Sequence, residues 1–545
     1  MPASHHPGRR WLLPATAGVA SVAFGTGVGE LAAAVIAPSS SPFVVVGSLL
    51  IDLAPSWAKD AAIALFGTGD KAALLVGIGI VLVVVAGAAG VLEARRPPFG
   101  RVLIGLLGVV GAIAASTRAN AAMLAIAPSA IAAIAAVLAL QFLVRLLPAT
   151  DAAAATDTPA ATGAAELDSG ADAGRGPEKP ASPAPRPAAT GIDRRRFLGW
   201  AGGATVVGAL AAMGGYALQA GARTVAVIRD TITLPSATAT APVPAAAELG
   251  IDGLASIVTP NSQFYRIDTA LAVPSVDPST WTLRIHGMVE DEVTLTWDEL
   301  LALPLEESVT TLACVSNEVG GGLIGNAVWL GYPIRELLAR AAPSADADMV
   351  LSRSIDGFTA STPLPVLEDD RNAILAVGMN GEPLPPEHGF PVRMVVPGLY
   401  GYVSATKWVT DLEVTRFDAA SAYWTDRGWS PLGPIKLSSR IDVPRTGQSL
   451  TAGPITVAGV AWHQHIGIER VEVQVDDGSW QAAALATAIS IDTWVQWHYE
   501  WDAPAGTHTL RVRATGADGE VQTSKVQGVV PDGATGLHER TVEVR

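Results

Sequence analysis

From residue 11 to residue 147 apolar side chains follow one another with almost no charge between them, whereas from residue 223 apolar and polar positions alternate at the short periods of a soluble protein. A helix needs about 20 apolar residues to cross the hydrocarbon layer of a bilayer. Four stretches meet that need: 12–37, 73–92, 102–117 and 123–147. Over 42–67 the apolar run is broken by Asp52, Pro55, Lys59 and Asp60, which predicts an interfacial or re-entrant hairpin; a further full span is the competing reading. With four spans, Arg9 and Arg10, the loop holding Arg95, Arg96 and Arg101, and Arg145 all fall on the cytoplasmic side, as the positive-inside tendency favours. Residues 1–148 therefore read as an amino-terminal α-helical transmembrane bundle.

Residues 149–193 are dominated by Ala, Pro, Thr, Asp and Gly with almost no large apolar side chain. Such a segment cannot bury a core and is predicted to be a disordered linker. At its end Asp193-Arg194-Arg195-Arg196-Phe197-Leu198-Gly199 precedes a weakly hydrophobic run rich in Gly and Ala. Residues 194–222 read as a twin-arginine export signal or anchor helix, placed internally; the alternative is a basic flank on an ordinary span. Either way the chain that follows lies beyond the membrane. The twin-arginine route carries folded proteins, which suits a cofactor inserted in the cytoplasm.

After a Thr/Ala/Pro-rich passage over 224–249, organised sequence is expected from about Ile257. Trp281-Thr-Leu-Arg-Ile-His-Gly alternates as a half-buried strand does, Thr296-Trp-Asp-Glu opens a short helix with a capping residue, and 332–341 read as a second amphipathic helix. From residue 454 strands are predicted over 455–462, 468–475, 494–501, 507–513 and 523–528, with Asp476-Asp-Gly-Ser as a tight turn. That spacing predicts an antiparallel sandwich of immunoglobulin type. No strand leads into GxGxxG and no GxxxxGK[ST] occurs, so Rossmann-type dinucleotide binding and P-loop chemistry lack support.

Charge and cysteine usage narrow the function. With 36 basic against 51 acidic residues, the chain lacks the basic face that nucleic acid requires. Cys314 is its single cysteine, so no internal disulfide can form, and the thiol is either inert packing or chemistry. It stands in the Ser/Asn/Gly-rich run Cys314-Val-Ser-Asn-Glu-Val-Gly-Gly, where a soft thiolate can reach a metal more readily than from an apolar strand.

Residues from about 257 to 545 resemble the sulfite oxidase family of molybdenum-cofactor enzymes. The passages that carry the resemblance are Asn261-Ser-Gln-Phe-Tyr-Arg-Ile-Asp, the Cys314 run, Asn380-Gly-Glu-Pro-Leu-Pro-Pro-Glu-His-Gly-Phe-Pro-Val-Arg-Met-Val-Val-Pro-Gly-Leu-Tyr-Gly, Ser404-Ala-Thr-Lys-Trp-Val, Gly428-Trp-Ser-Pro and Ser438-Ser-Arg-Ile. The resemblance implies an α+β molybdenum-cofactor domain over 223–434 and an immunoglobulin-like dimerisation domain over 435–545, and hence a homodimer. It implies one molybdenum-molybdopterin per chain, with Cys314 as metal ligand and catalytic centre. The cofactor's anion and heterocycle would be held by Arg393, a planar fork suited to phosphate, Lys407, a point charge, and His388. Asn261, Tyr265 and Arg266 would line the other side; Ser352 is placed through a gap in the alignment. The bland readings are a buried structural cysteine, a surface-turn histidine and solvated strand ends.

The chain departs from the family where substrate is chosen. Sulfite oxidases follow the metal-binding cysteine with Ala-Gly-Asn and two arginines, while here Val-Ser-Asn-Glu318-Val319 follows, so an anion would meet a carboxylate. The family's active-site tyrosine is missing before Gly428, where Asp426-Arg427 stand, although Tyr423 and Trp424 lie near. The related methionine-sulfoxide reductases carry Asn at the position of His388. The resemblance thus implies two-electron oxygen-atom transfer on a small substrate that need not be sulfite. With no Cys-x-x-Cys-His and no histidine in the membrane region, no haem is expected in this chain, and the electron acceptor or donor would be a separate haem protein or quinone system. The polar groups within the apolar region, Glu30, Arg118 and Gln141, are too scattered to suggest a path. The expectation is a multi-pass cell-membrane oxidoreductase with its catalytic part outside; the alternative is a non-catalytic ectodomain that keeps the fold to bind protein.

Overall fold

A computed structural model of the chain describes residues 11–37, 40–54, 65, 70–117, 124–147, 192–219 and 227–545. Arg9, Arg10, Pro55, Lys59, Asp60, Arg118 and the linker as far as residue 191 lie outside the described residues. The chain divides into two compact units.

The first unit is helical: α1 (Leu12–Ile36), the start of α2 (Pro42–Leu53), α3 (Asp70–Arg95), α4 (Phe99–Ser116), α5 (Ala127–Arg145) and α6 (Ile192–Gln219). Among the described residues five stretches are long and apolar enough to cross a membrane: Leu12–Ile36, Ala73–Arg95, Phe99–Ser116, Ala127–Arg145 and Arg195–Gly215. At 12 residues α2 is about 18 Å long, too short to cross. Small residues let the helix backbones meet where lipid offers no hydrophobic drive. A Cβ on Gly27 of α1 would collide with the carbonyl of Gly208 on α6, and one on Gly18 with that of Ala86 on α3. Phe197 of α6 is fully buried among Ala17, Ala20 and Leu143. Glu30 accepts the Ser41 hydroxyl at 2.9 Å and the Phe43 N–H at 3.2 Å, so this carboxylate caps the start of α2.

The second unit contains two mixed or antiparallel sheets and a sandwich. The first sheet has the order β2-β1-β10-β5-β6, from β1 (Thr282–Gly287), β2 (Val293–Thr296), β5 (Met349–Ser354), β6 (Thr359–Pro363) and β10 (Val409–Thr415); only β1 and β10 run parallel. Leu283 and Ile285 of β1 are buried while Thr282 and Arg284 face out, the alternation that the sequence predicts. Helix α7 (Trp297–Leu301) opens with a complete capping box between Thr296 and Glu299. Helix α8 (Ile334–Ala341) buries Ile334, Leu337, Leu338 and Ala341, one stripe of a 3.6-residue period. The second sheet joins β3 (Glu306–Ala313), β4 (Ile324–Pro333), β7 (Ile374–Met379) and β8 (Glu382–Pro383) in that order, with β9 (Arg393–Val395) also on β7. Pairing of β3 with β4 runs from Glu306↔Gly331 to Ala313↔Ile324. The connection 314–323 therefore leaves the sheet at Cys314.

The sandwich has the sheets β11-β12-β16-β15 and β14-β13-β17-β18. Their principal strands are β11 (Ser438–Val443), β12 (Gly453–Trp462), β13 (Ile468–Val475), β16 (Val495–Ala503), β17 (Gly506–Gly516) and β18 (His538–Val544), completed by β14 (Gln481–Ala482) and β15 (Ala484–Leu485). Val457, Val471, Trp497, Leu510 and Val542 fill the space between them. Four of the five expected strands are present and 523–528 is not one: Val526 is exposed, and Gln527 makes a single isolated bridge to Thr535. The last strand is β18, whose Val542 and Val544 point inward and give it a core face. Order also begins before Ile257. The Thr238 N–H bonds the Leu305 carbonyl at 2.7 Å, and Ile232 and Leu234 pack on the core.

Candidate active site

Cys314 opens the β3–β4 connection. Its N–H donates to the Leu323 carbonyl at 2.9 Å, its carbonyl accepts the Asn317 N–H at 3.0 Å, and Asn317 Oδ1 takes the Leu323 N–H at 2.8 Å, which closes the loop on itself. The strand behind it is tied from both sides at Thr311. The Thr311 hydroxyl donates to Asn326 Oδ1 at 2.9 Å and accepts the Trp494 N–H, also at 2.9 Å, while the Thr311 carbonyl accepts Gln464 Nε2 at 2.5 Å. Sandwich residues thus hold the strand that presents the thiol. Cys314 is half-buried. Burial pushes its pKa up, and the N–H and hydroxyl of Ser316, both hydrogen-bonded to the sulfur, act in the opposite direction.

Two phenols share this neighbourhood. Burial raises Tyr265 well above the ordinary phenol range and Tyr400 to about 12, and charge on Cys314 raises both further. Arg393 opposes the shift at Tyr265, so the guanidinium lies in reach of the same phenol. Arg393 is only 5% exposed, with its guanidinium 5.0 Å from the Trp329 ring centre and Nη1 donating to the His388 carbonyl at 3.1 Å. Among the described residues no carboxylate forms an ion pair with it. Burial lowers its pKa to about 10. His388 is buried beside it, its ring edge-on to Phe264, and its Nε2 bonds the Asn261 carbonyl at 3.2 Å. That bond needs a proton on Nε2. Burial and then the Arg393 charge lower His388 to about 4, so the ring is neutral at physiological pH.

The structure brings Cys314, Tyr265, Arg393, His388 and Asn261 into one connected cluster. Asn261 is fixed by Asn380 Nδ2, which donates to its Oδ1 at 2.7 Å, and by Glu382, which accepts its Nδ2 at 2.5 Å. Lys407 and Arg266 form a separate ionic group. Lys407 Nζ lies 2.5 Å from Asp268 and Arg266 Nε 2.9 Å from the same oxygen. Burial brings Lys407 down to about 8 although Asp268 supports its charge. Ser352 is fully buried with its hydroxyl bonded to Thr406, the residue before Lys407, at 2.7 Å and to the Ala360 carbonyl at 3.2 Å. Sequence reading missed Tyr400, Trp329 and Asp268. Tyr400 and Asp268 sit inside quoted passages; Trp329 gave no signal beyond being an apolar strand position. Glu318 is exposed on the loop after Cys314. Tyr423 carries Arg427 on its ring at 3.7 Å and stands edge-on to Trp424.

Residues 270–424 match the oxidoreductase molybdopterin binding domain and residues 438–512 a bacterial Ig domain. Mitochondrial sulfite oxidase of Macaca fascicularis is 30% identical over 308 residues, 48% of this chain and 56% of that protein. The uncharacterized oxidoreductase YuiH of Bacillus subtilis (strain 168) is 32% identical over 160 residues, 29% of this chain and 76% of that protein. The chain belongs to the sulfite oxidase family of molybdopterin-dependent oxidoreductases. It spans about half the length of the sulfite oxidases that it matches. Among solved structures, the sulfane dehydrogenase SoxCD from Paracoccus pantotrophus aligns at a TM-score of 0.46 and 23% identity over 54% of this chain and 86% of that one, too low to carry weight.

The residues fit the family's cofactor. Molybdopterin brings an anionic phosphate, a hydrogen-bonding heterocycle and sulfur ligands. Arg393 is a buried cation with no carboxylate paired to it among the described residues, which is costly unless a ligand supplies the charge. His388 offers a neutral ring and Cys314 a soft donor at the open end of a strand.

Proposed function

We propose that this sulfite oxidase family member is a membrane-anchored, extracytoplasmic oxidoreductase that performs two-electron oxygen-atom transfer on a small substrate at Cys314. The observation that carries this reading is the uncompensated Arg393 in the same cluster as the only thiol of the chain. In this reading Cys314 is the molybdenum ligand. Arg393, His388, Asn261 and Tyr265 hold the molybdopterin directly. Arg266 and Lys407, bridged by Asp268, add positive charge for the cofactor's phosphate, and Ser352 holds Thr406, the residue before Lys407. When bound, the cofactor supplies the two-electron redox couple. Cys314 must lose its proton to ligate, so loading releases a proton, and the two Ser316 hydrogen bonds lower the cost of forming the thiolate. The exposed Glu318 supports a pocket for neutral or cationic substrates rather than sulfite.

The domain division proposed is a transmembrane bundle over 1–148, a linker over 149–193, an anchor helix over 194–222, the cofactor domain over 223–434 and an immunoglobulin-like domain over 435–545 that forms a homodimer. Burial of Phe197 and the close backbone approach of Gly208 to Gly27 support a signal helix retained with the bundle. A separate haem protein or quinone system exchanges the electrons, as acceptor when the substrate is oxidised and as donor when a sulfoxide or amine oxide is reduced. The test is steady-state turnover of detergent-solubilised enzyme, with artificial electron carriers, on neutral sulfoxides and amine oxides against sulfite. Neutral substrates are expected to be preferred, Glu318→Arg to raise kcat/KM for sulfite about tenfold, roughly 1.4 kcal/mol, and Cys314→Ser to be folded and inactive. Efficient sulfite oxidation that Glu318→Arg leaves unchanged would overturn the substrate assignment.

A further inference from the structure

His463 follows strand β12. It is 5% exposed, and its Nδ1 is buried with no hydrogen-bond partner. A buried polar atom left without a partner is destabilising unless a ligand satisfies it. The ring faces the turn after β17, where Asp518 Oδ1 lies 3.9 Å from Nδ1 and Glu520 Oε2 lies 4.0 Å from Nε2. One ligand atom from each of the three residues lies within 4.8 Å of the others.

A simple histidine–carboxylate pair does not account for this spacing. In the same unit His286 meets Asp411 at 2.8 Å, His508 meets Asp476 at 2.9 Å and His465 meets Asp492 at 3.0 Å. The Asp518 and Glu520 side chains are 44% and 63% exposed and therefore have room to close in the same way, yet both stay about an ångström further out. Two donors bound to one ion at about 2.1 Å stand roughly 3–4 Å apart; Asp518 Oδ1 lies at that distance from Nδ1, and the exposed Glu520 offers its carboxylate within 4.8 Å. The backbone leaves space between them. A Cβ on Gly516 would lie 2.6 Å from Asp518 Oδ1 and against His463 Nδ1, in the middle of the group. Asp518 Oδ1 also accepts the Glu520 N–H at 3.0 Å, which orients the carboxylate and leaves it further lone pairs.

We infer that His463, Asp518 and Glu520 bind a divalent first-row metal ion, distinct from the molybdenum site. One imidazole with two carboxylates suits zinc or manganese, and zinc binds the tighter of the two. The ion fixes the connection between β12 and β13. The next residue, Gln464, donates to the carbonyl of Thr311, three positions before Cys314, so the metal steadies the clamp behind the thiol.

The test uses the full chain in detergent, stripped with chelator and titrated with Zn²⁺ and then Mn²⁺ by calorimetry, with bound metal counted by elemental analysis. One equivalent of zinc is expected, weakened by about tenfold or more in both His463→Ala and Glu520→Gln, and in Gly516→Ala, which fills the space without removing a ligand. Glu520 is exposed, so Glu520→Gln keeps the fold, which circular dichroism checks. Zinc and manganese binding that is absent from the wild type, or equal in the wild type, Glu520→Gln and Gly516→Ala, would overturn the assignment.

Discussion

Replacing Arg393 with Met should weaken the cofactor and spare the empty protein. Burial takes the guanidinium from 12.5 to about 10, a penalty on the charged form of about 3 kcal/mol at 1.36 kcal/mol per pKa step. Against it stand the hydrogen bond to the His388 carbonyl, worth about 1 kcal/mol, and the position over Trp329, worth roughly 1 kcal/mol. Met keeps the length and apolar contact of the side chain. The sum leaves cofactor-free Arg393→Met as stable as wild type or more stable by about 1 kcal/mol, where loss of a buried residue in an ordinary core would cost 2–5 kcal/mol. With cofactor the sign reverses: a charge-assisted bond to phosphate, worth up to about 3 kcal/mol, is lost, so occupancy should fall about a hundredfold at limiting cofactor. Urea unfolding followed by tryptophan fluorescence on full-length protein from a cofactor-deficient host gives the first quantity, and molybdenum and pterin content of loaded protein gives the second. A cofactor-free variant destabilised by more than about 2 kcal/mol that still loads fully would refute the reasoning and make Arg393 a structural residue.

Further outcomes follow from the same geometry. His388 stays neutral in the fold down to about pH 4, while in the unfolded chain it takes a proton near 6.5. Stability should therefore be flat above pH 6.5 and fall by up to about 3 kcal/mol as the pH drops to 4; unfolding titrations across that window should show His388→Gln losing much of the slope, with a smaller part left to His538, which is also held near 4 but is partly exposed. Cys314 in cofactor-free protein should be alkylated more slowly than free cysteine at pH 8, with the rate still rising at higher pH, because burial raises its pKa; a rate at or above that of free cysteine would contradict this. Asn326→Leu leaves the Ile257 carbonyl with the Trp494 indole N–H alone and the Thr311 hydroxyl without its acceptor and should cost about 1–3 kcal/mol, with loss of molybdenum during gel filtration; wild-type retention would show that the Thr311 clamp does not position Cys314.

Local rules made much of the fold legible. The apolar stretches became helices α1 and α3–α6, the Thr296–Glu299 box became a helix start, and four sandwich strands lie where alternation put them. Pattern failed where pairing across the chain decides. Residues 523–528 alternate but find no sheet edge, whereas β18 is called into the sheet by β17. The Thr/Ala/Pro passage looked like linker, yet Ala239 bridges Glu306 and the segment packs on the core. At the site, Cys314 and His388 stood out because cysteine and histidine are scarce in this chain, and Arg393 only through the passage around it; the structure places the three in one cluster. The state of Lys407 was not, since its neutralising Asp268 stands 139 positions away. The His463 group lay hidden for the same reason: its ligands come from two strand ends that only the sandwich brings together.

The central claim is most directly tested by the molybdenum and pterin content of protein purified from its native membrane, measured beside Cys314→Ser. Near-stoichiometric molybdenum and pterin in the wild type, with metal lost or its coordination spectrum altered in a folded Cys314→Ser, is the predicted result. Properly matured wild-type protein that carries neither metal nor pterin would contradict it.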